Sequence, residues 1–167
     1  AKLATRTGNV ILLRDLFAES IAKVESIMKE KNPDLPDMDK VSEAVGVGAI
    51  VFYYLSNNRI RDINFMMEDA LSFEGNTGPY VQYTYARTCS VLAKTAGDAC
   101  AELKISAPEE IELLKTLSRF EETVRDAIDT YEPSVITRYI LDVAGAFNRF
   151  YHNCPINTAD DAEVKAF

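Results

Sequence analysis

Residues 74–87 read "EGNTGPYVQYTYAR". Gly75, Asn76, Thr77 and Gly78 make a turn that runs into Pro79, and Tyr80, Tyr83, Tyr85 and Arg87 follow within eight residues. Proline just after a turn glycine, then a run free of both as far as Lys94, predicts the start of a helix. Plotted at about 100° per residue from Tyr80, that helix separates two faces. Val81, Tyr85, Thr88 and Leu92 fall together as a candidate core stripe. Tyr80, Tyr83, Arg87, Ser90 and Lys94 fall together on another side. Rings beside a guanidinium and an ammonium can stack on bases and hold phosphates. The same residues also suit tyrosines at a core edge with wet hydroxyls, and an arginine paired with an acid. The residues by themselves leave both readings open.

Outward from this stretch the pattern is helical almost throughout. Leu16, Phe17, Ile21, Val24, Ile27 and Met28 recur at helical spacing, until Pro33 and Pro36 of "NPDLPD" stop the run. A second helix is expected from about Asp39 to Asn57, through Val41, Val45, Ala49, Phe52 and Tyr53. Its "GVG" lies inside the helical pattern, so small residues for close helix packing explain it better than a phosphate loop. Residues 57–73 mix turn, extended and short helical signals. Beyond the break at Gly97 and Pro108, two long amphipathic helices are expected. One presents Leu114, Leu117, Phe120, Val124, Ile128 and Tyr131; the other presents Ile136, Ile140, Val143, Phe147, Phe150 and Tyr151. A short strand is expected at Val10 to Leu13, an oddity in a chain that offers it almost no partner.

Composition narrows the function. The chain has 167 residues, with 47% hydrophobic and 26% charged content, ordinary for a globular protein. No apolar run reaches the length of a membrane span, and the start lacks a signal-peptide pattern, so a soluble cytoplasmic protein is expected. Three cysteines (Cys89, Cys100, Cys154) and the single histidine, His152, give little support to a disulfide framework, a metal site or a histidine-based nucleophile. A net charge of −8 argues against general phosphate gripping. Any nucleic-acid contact must then be local and selective by shape.

Three stretches resemble one family. "VGVGAIVFYYLSNNR", "SFEGNTGPYVQYTYAR" and "AGAFNRFYH" are similar to segments of the arginyl-tRNA synthetases, in which a "GxTGPYxQYxxAR"-type stretch joins a catalytic domain to a helical anticodon-binding domain. "KLATRTGN" occupies the place of the class I "KMSKS" signature, though Leu3, Ala4 and Thr7 depart from it. The resemblance implies an all-α chain. A helical-bundle anticodon-binding domain (76–167) would follow the helical C-terminal end of a class I, Rossmann-type catalytic domain (1–75).

It also implies a ligase that joins L-arginine to tRNA(Arg) using Mg-bound ATP as substrate, with no intrinsic metal in this chain. Lys2 and Arg6 would act catalytically on the ATP phosphates, with Thr5 and Gly8 completing that loop. Ser72, Phe73, Glu74, Gly75, Asn76, Thr77, Tyr80, Tyr83, Arg87 and Tyr151 would meet the tRNA, Tyr151 by pocketing an anticodon base. For Tyr151, core packing is the competing reading. The family's "HIGH"-type signature and arginine pocket lie upstream of these segments, so the chain is expected to be a monomeric carboxy-terminal piece, inactive alone. The alternative is a helical protein–protein interaction module that binds no nucleic acid.

Overall fold

The computed structural model describes residues 11–94 and 105–154. They form seven helices, α1 (Leu13–Lys31), α2 (Met38–Leu55), α3 (Met67–Ala70), α4 (Gly78–Lys94), α5 (Pro108–Ser118), α6 (Phe120–Thr130) and α7 (Ser134–Asn153), and no strand among the described residues. The all-α expectation holds. The strand expected at Val10 to Leu13 does not form where it can be seen: Ile11 and Leu12 are irregular, and Leu13 opens α1. Leu12 serves that start through its backbone, its carbonyl accepting from the N–H groups of Asp15 and Leu16. With no partner strand among the described residues, the local helical bonds satisfy this backbone at once.

The chain divides into two compact units. The first takes the described residues up to Tyr54 together with Asp62–Tyr80; the second takes Leu55–Arg61 and the described residues from Val81 onward.

In the first unit α1 and α2 meet along small residues. Leu16, Ser20 and Val24 are buried at one-turn spacing on α1, and Ser42, Gly46, Ala49 and Ile50 on α2. The Ser20 hydroxyl donates to the Gly46 carbonyl at 2.9 Å. A Cβ added at Gly46 would stand 2.9 Å from the Ile21 backbone nitrogen, closer than real contacts allow. The "GVG" of α2 is thus a packing device: a missing side chain lets two helix backbones touch. Leu16, Val24, Ala49, Ile50, Met67, Ala70 and Leu71 make the core, with Phe17, Met28, Val45, Tyr53 and Phe65 packed against it. Complete burial of a side chain such as Ile50 contributes about 1.5–3 kcal/mol. The Tyr53 hydroxyl donates to the Asn64 carbonyl at 2.7 Å, and Tyr53 and Tyr54 both contact the Phe65 ring. These contacts tie the extended residues before α3 to α2.

In the second unit α5 and α7 enclose Leu113, Ala146 and Phe150, with Phe147 and Cys154 packed on them. Polar pairs run along the same seam: Arg149 donates to Glu112 at 2.5 Å and Asn153 to Glu109 at 2.8 Å. Ala107 has no side-chain oxygen to cap α5. The buried Glu110 does so instead, accepting the backbone N–H groups of Ser106 and Ala107 at 2.7 and 2.8 Å. The segment Leu55–Arg61 is held to the start of α7, where Arg59 donates to Glu132 at 3.2 Å. Burial opposes the Glu132 charge, yet the hydroxyl and backbone N–H of Ser134 and the Arg59 guanidinium outweigh it, so its carboxyl titrates below its ordinary value.

The first of the two long late helices expected from sequence is in fact two. At Arg119 ψ falls to −1°, its N–H turns back to the Thr116 carbonyl at 3.3 Å, and α6 starts afresh. The Ser118 hydroxyl, donating to the Lys115 carbonyl, competes for the helix backbone at this point. The break sets the Phe120 ring 6.0 Å from that of Tyr139, whose hydroxyl donates to the Leu117 carbonyl.

Two apolar stripes are also less covered than their periodicity suggests. Leu117, Phe120, Ile128 and Tyr131 are exposed, and on α4 Tyr85 and Leu92 are 71% and 74% exposed. Val81, Tyr85, Leu113, Phe120, Tyr139 and Phe147 instead line an apolar groove of about 520 Å³. Periodicity identifies an apolar face without specifying what covers it.

Candidate nucleic-acid interface

The turn at residues 72–77 is stiffened by its own hydroxyls. Ser72 Oγ accepts the Glu74 N–H at 3.1 Å, forming a small serine turn. Gly75 takes the left-handed φ of +81° that the tip requires. Thr77 then does two jobs. Its hydroxyl donates to the Ser72 carbonyl at 2.6 Å, closing the loop, and accepts the Tyr80 N–H at 3.2 Å, capping the first turn of α4. Closing the loop this way leaves Phe73, Glu74, Gly75 and Asn76 exposed. Gly78 is buried, and a Cβ there would lie 3.0 Å from Ala49 Cα and from the Gly48 carbonyl oxygen. The turn glycine before Pro79 is therefore needed because α4 starts hard against α2. Tyr80 is half-buried. These residues belong to the first unit.

The second unit carries the aromatic and cationic cluster. The Arg87 guanidinium carbon lies 4.8 Å from the centre of the Tyr83 ring and 5.0 Å from that of Tyr151, both within cation–π range. Its Nη2 donates to the Tyr83 hydroxyl at 3.0 Å and its Nη1 to Asn148 Oδ1 at 2.7 Å. Asn148 also donates through Nδ2 to Thr84 Oγ1 at 3.0 Å. Tyr151 rests on Phe147, their rings 6.1 Å apart and 28° from parallel. Tyr83 is 53% exposed and Tyr151 43%, so both rings are engaged by neighbouring side chains while still reaching solvent. With Ser90, Val91 and Lys94 they border a polar recess of about 330 Å³.

Sequence reasoning named Tyr83, Arg87 and Tyr151, and the structure brings these three together. Tyr151 is outside the core cluster and 43% exposed, with its ring stacked on Phe147 at the core's edge. Packing at a core edge would pair Arg87 with an acid; its partners include an amide and two rings. Sequence reasoning missed Asn148 and Thr84. The "FNRFY" run held the clue, since Asn148 lies one helical turn before Tyr151 on the same side of α7. Lys2, Thr5, Arg6 and Gly8 lie outside the described residues. Among the described residues no group of three or more His, Cys, Asp or Glu is placed to hold a metal ion. No described helix is long and apolar enough to cross a membrane.

A helical bundle bearing fixed, half-open tyrosine rings is the kind of surface that meets unpaired bases. Residues 81–166 match the DALR anticodon binding domain, and the chain belongs to that family. Residues 1–67 match the catalytic domain of the class I (R) tRNA synthetases. Over 167 residues, 98% of this chain, it is 50% identical to the arginine–tRNA ligase of Clostridium acetobutylicum, spanning 30% of that protein. A Clostridium botulinum arginine–tRNA ligase is 46% identical over 99% of the chain, again across 30% of its own length. The solved Thermus thermophilus arginyl-tRNA synthetase superposes with a TM-score of 0.87 at 34% identity, over 94% of this chain and 28% of that one. The Plasmodium falciparum enzyme shares the fold at 24% identity, with a TM-score of 0.83.

Proposed function

We propose that this chain serves an arginine–tRNA ligase by binding the anticodon arm of tRNA(Arg), the whole protein joining L-arginine to that tRNA with ATP. The observation that carries the reading is the Tyr83–Arg87–Tyr151 cluster, built inside the segment that matches the anticodon-binding family. Half-exposed rings already positioned by neighbouring side chains can accept a stacked base with little loss of entropy. The exposed residues Phe73, Glu74, Gly75 and Asn76, on a loop pinned by Ser72 and Thr77, supply a second contact with the same RNA, together with Tyr80. Such contacts suit a chain of net charge −8, since stacking and edge recognition need no broad basic surface.

At the start of the chain we assign Lys2 and Arg6 to the phosphates of Mg-bound ATP, with Thr5 and Gly8 shaping the loop. Cations aimed at the departing diphosphate would stabilise its developing charge. The working protein is taken to be a cytoplasmic monomer. The interaction-module reading has the apolar groove beside α4 in its favour and no account of the tyrosine cluster.

The test is the affinity of the chain for tRNA(Arg) against a non-cognate tRNA at two salt concentrations. Preference for tRNA(Arg) that survives the higher salt supports the proposal. Equal binding to both, lost together as salt rises, overturns it.

A further inference from the structure

The guanidinium of Arg87 is already engaged. One terminal nitrogen donates to Asn148 Oδ1 and the other to the Tyr83 hydroxyl, and the plane lies within cation–π distance of two rings. Gripping a phosphate would require the same two-pronged edge. Asn148 is itself oriented, because its Nδ2 donates to the buried Thr84 hydroxyl. Arg87, which can only donate, selects which end of the amide faces it: the oxygen, which can only accept.

We infer that Asn148 is a positioning residue that pins Arg87 against Tyr83 and Tyr151, making the arginine a brace for the two rings and not a phosphate contact. The inference rests on the proposed binding of an RNA base at these rings, and it deepens that reading. Recognition at the cluster then runs through ring faces, and the recess cation left for a phosphate is Lys94, which is exposed at its edge. Neither Asn148 nor Thr84 needs to touch the RNA.

Two measurements on the whole chain test this. The first uses the free protein. An arginine held over two rings has side-chain NMR resonances shifted upfield, and Asn148→Ala should return those of Arg87 to their random-coil positions while the backbone amide spectrum stays folded. Asn148→Asp should keep them shifted, since a carboxylate still accepts from Arg87 and the Thr84 hydroxyl can rotate to donate. Unshifted resonances in the native chain, or unchanged ones in a folded Asn148→Ala, overturn the brace. Equal loss in Asn148→Asp would also do so, by reducing Asn148 to a packing role.

The second measurement is the salt dependence of tRNA(Arg) binding. Asn148→Ala should lower affinity roughly tenfold, as loss of a charge-assisted hydrogen bond does, without making the plot of log affinity against log salt shallower. Lys94→Gln should make it shallower by about 0.7, the loss of one single-strand phosphate contact. A shallower slope in Asn148→Ala would mean that Arg87 had been gripping a phosphate, and the inference fails. If the native chain shows no preference for tRNA(Arg), the proposed function falls, and the free-protein resonances still decide whether Asn148 pins Arg87.

Discussion

Tyr83→Ala separates a stacking surface from a merely solvated tyrosine. The guanidinium carbon of Arg87 lies 4.8 Å from the ring centre, and the residue is 53% exposed, enough surface for one base to stack. A base stacked on an aromatic side chain contributes about 1–3 kcal/mol. Removing the ring should therefore weaken binding of tRNA(Arg) by a factor of roughly 5 to 150. Tyr83→Phe keeps the ring and loses only the hydroxyl that accepts from Arg87 at 3.0 Å. Asn148 still holds the other guanidinium nitrogen at 2.7 Å. Because the charge-assisted bond from Arg87 to the Tyr83 hydroxyl is solvent-exposed, the phenylalanine variant should lose only about 0.5–1.5 kcal/mol. The assay is equilibrium titration with tRNA(Arg), with circular dichroism confirming that each variant is folded. A folded Tyr83→Ala chain with native affinity would refute the stacking argument. Equal losses in both variants would move recognition from the ring face to the hydroxyl.

Three further outcomes follow from the packing and charge. Gly46→Ala gains about 1 kcal/mol of helix propensity. It also drives a Cβ to 2.9 Å from the Ile21 backbone and strains the buried Ser20–Gly46 bond, so a net loss of about 2–3 kcal/mol is expected from denaturant melts; an unchanged midpoint would contradict the close approach of α1 and α2. Thr77→Val removes both the loop closure to Ser72 and the cap on Tyr80. It should cost about 0.5–2 kcal/mol and speed amide exchange across residues 72–80, whereas native exchange rates there would discount the cap. Glu132, whose carboxyl titrates below its ordinary value, contributes stability that is complete above its unfolded-state titration and is lost as pH falls through the lower folded-state value. Thermal melts between pH 6 and pH 3 should therefore show a steeper acid loss in the native chain than in Glu132→Gln (~pH values spanning the ordinary carboxylate range), and parallel curves would remove Glu132 from that account.

Most helices were legible because their apolar residues recur at helical spacing and their ends carry local signals. Pro33 and Pro36 follow the end of α1 at Lys31, and Gly78 with Pro79 opens α4. The break at Arg119 was not legible, because a continuous apolar stripe crosses it and one local ψ angle decides it. Nor was the exposure of Tyr85 and Leu92, since a sequence shows which side of a helix is apolar without showing whether another element lies on it.

The candidate site divides in the same way. The sequence by itself determined that Tyr83 and Arg87 share a face of α4, because four residues make about one helical turn. It likewise placed a flexible-backbone residue, Gly75, at a tip that needs positive φ. Only the tertiary structure decided that α7 would bring Asn148, 61 residues away in sequence, to the Arg87 guanidinium. It alone set Tyr151 beside that guanidinium, gave Gly78 its purpose, and showed that the packing glycine Gly46 meets Ile21. Local periodicity fixes the direction in which a side chain points, and what it meets there depends on how distant helices pack.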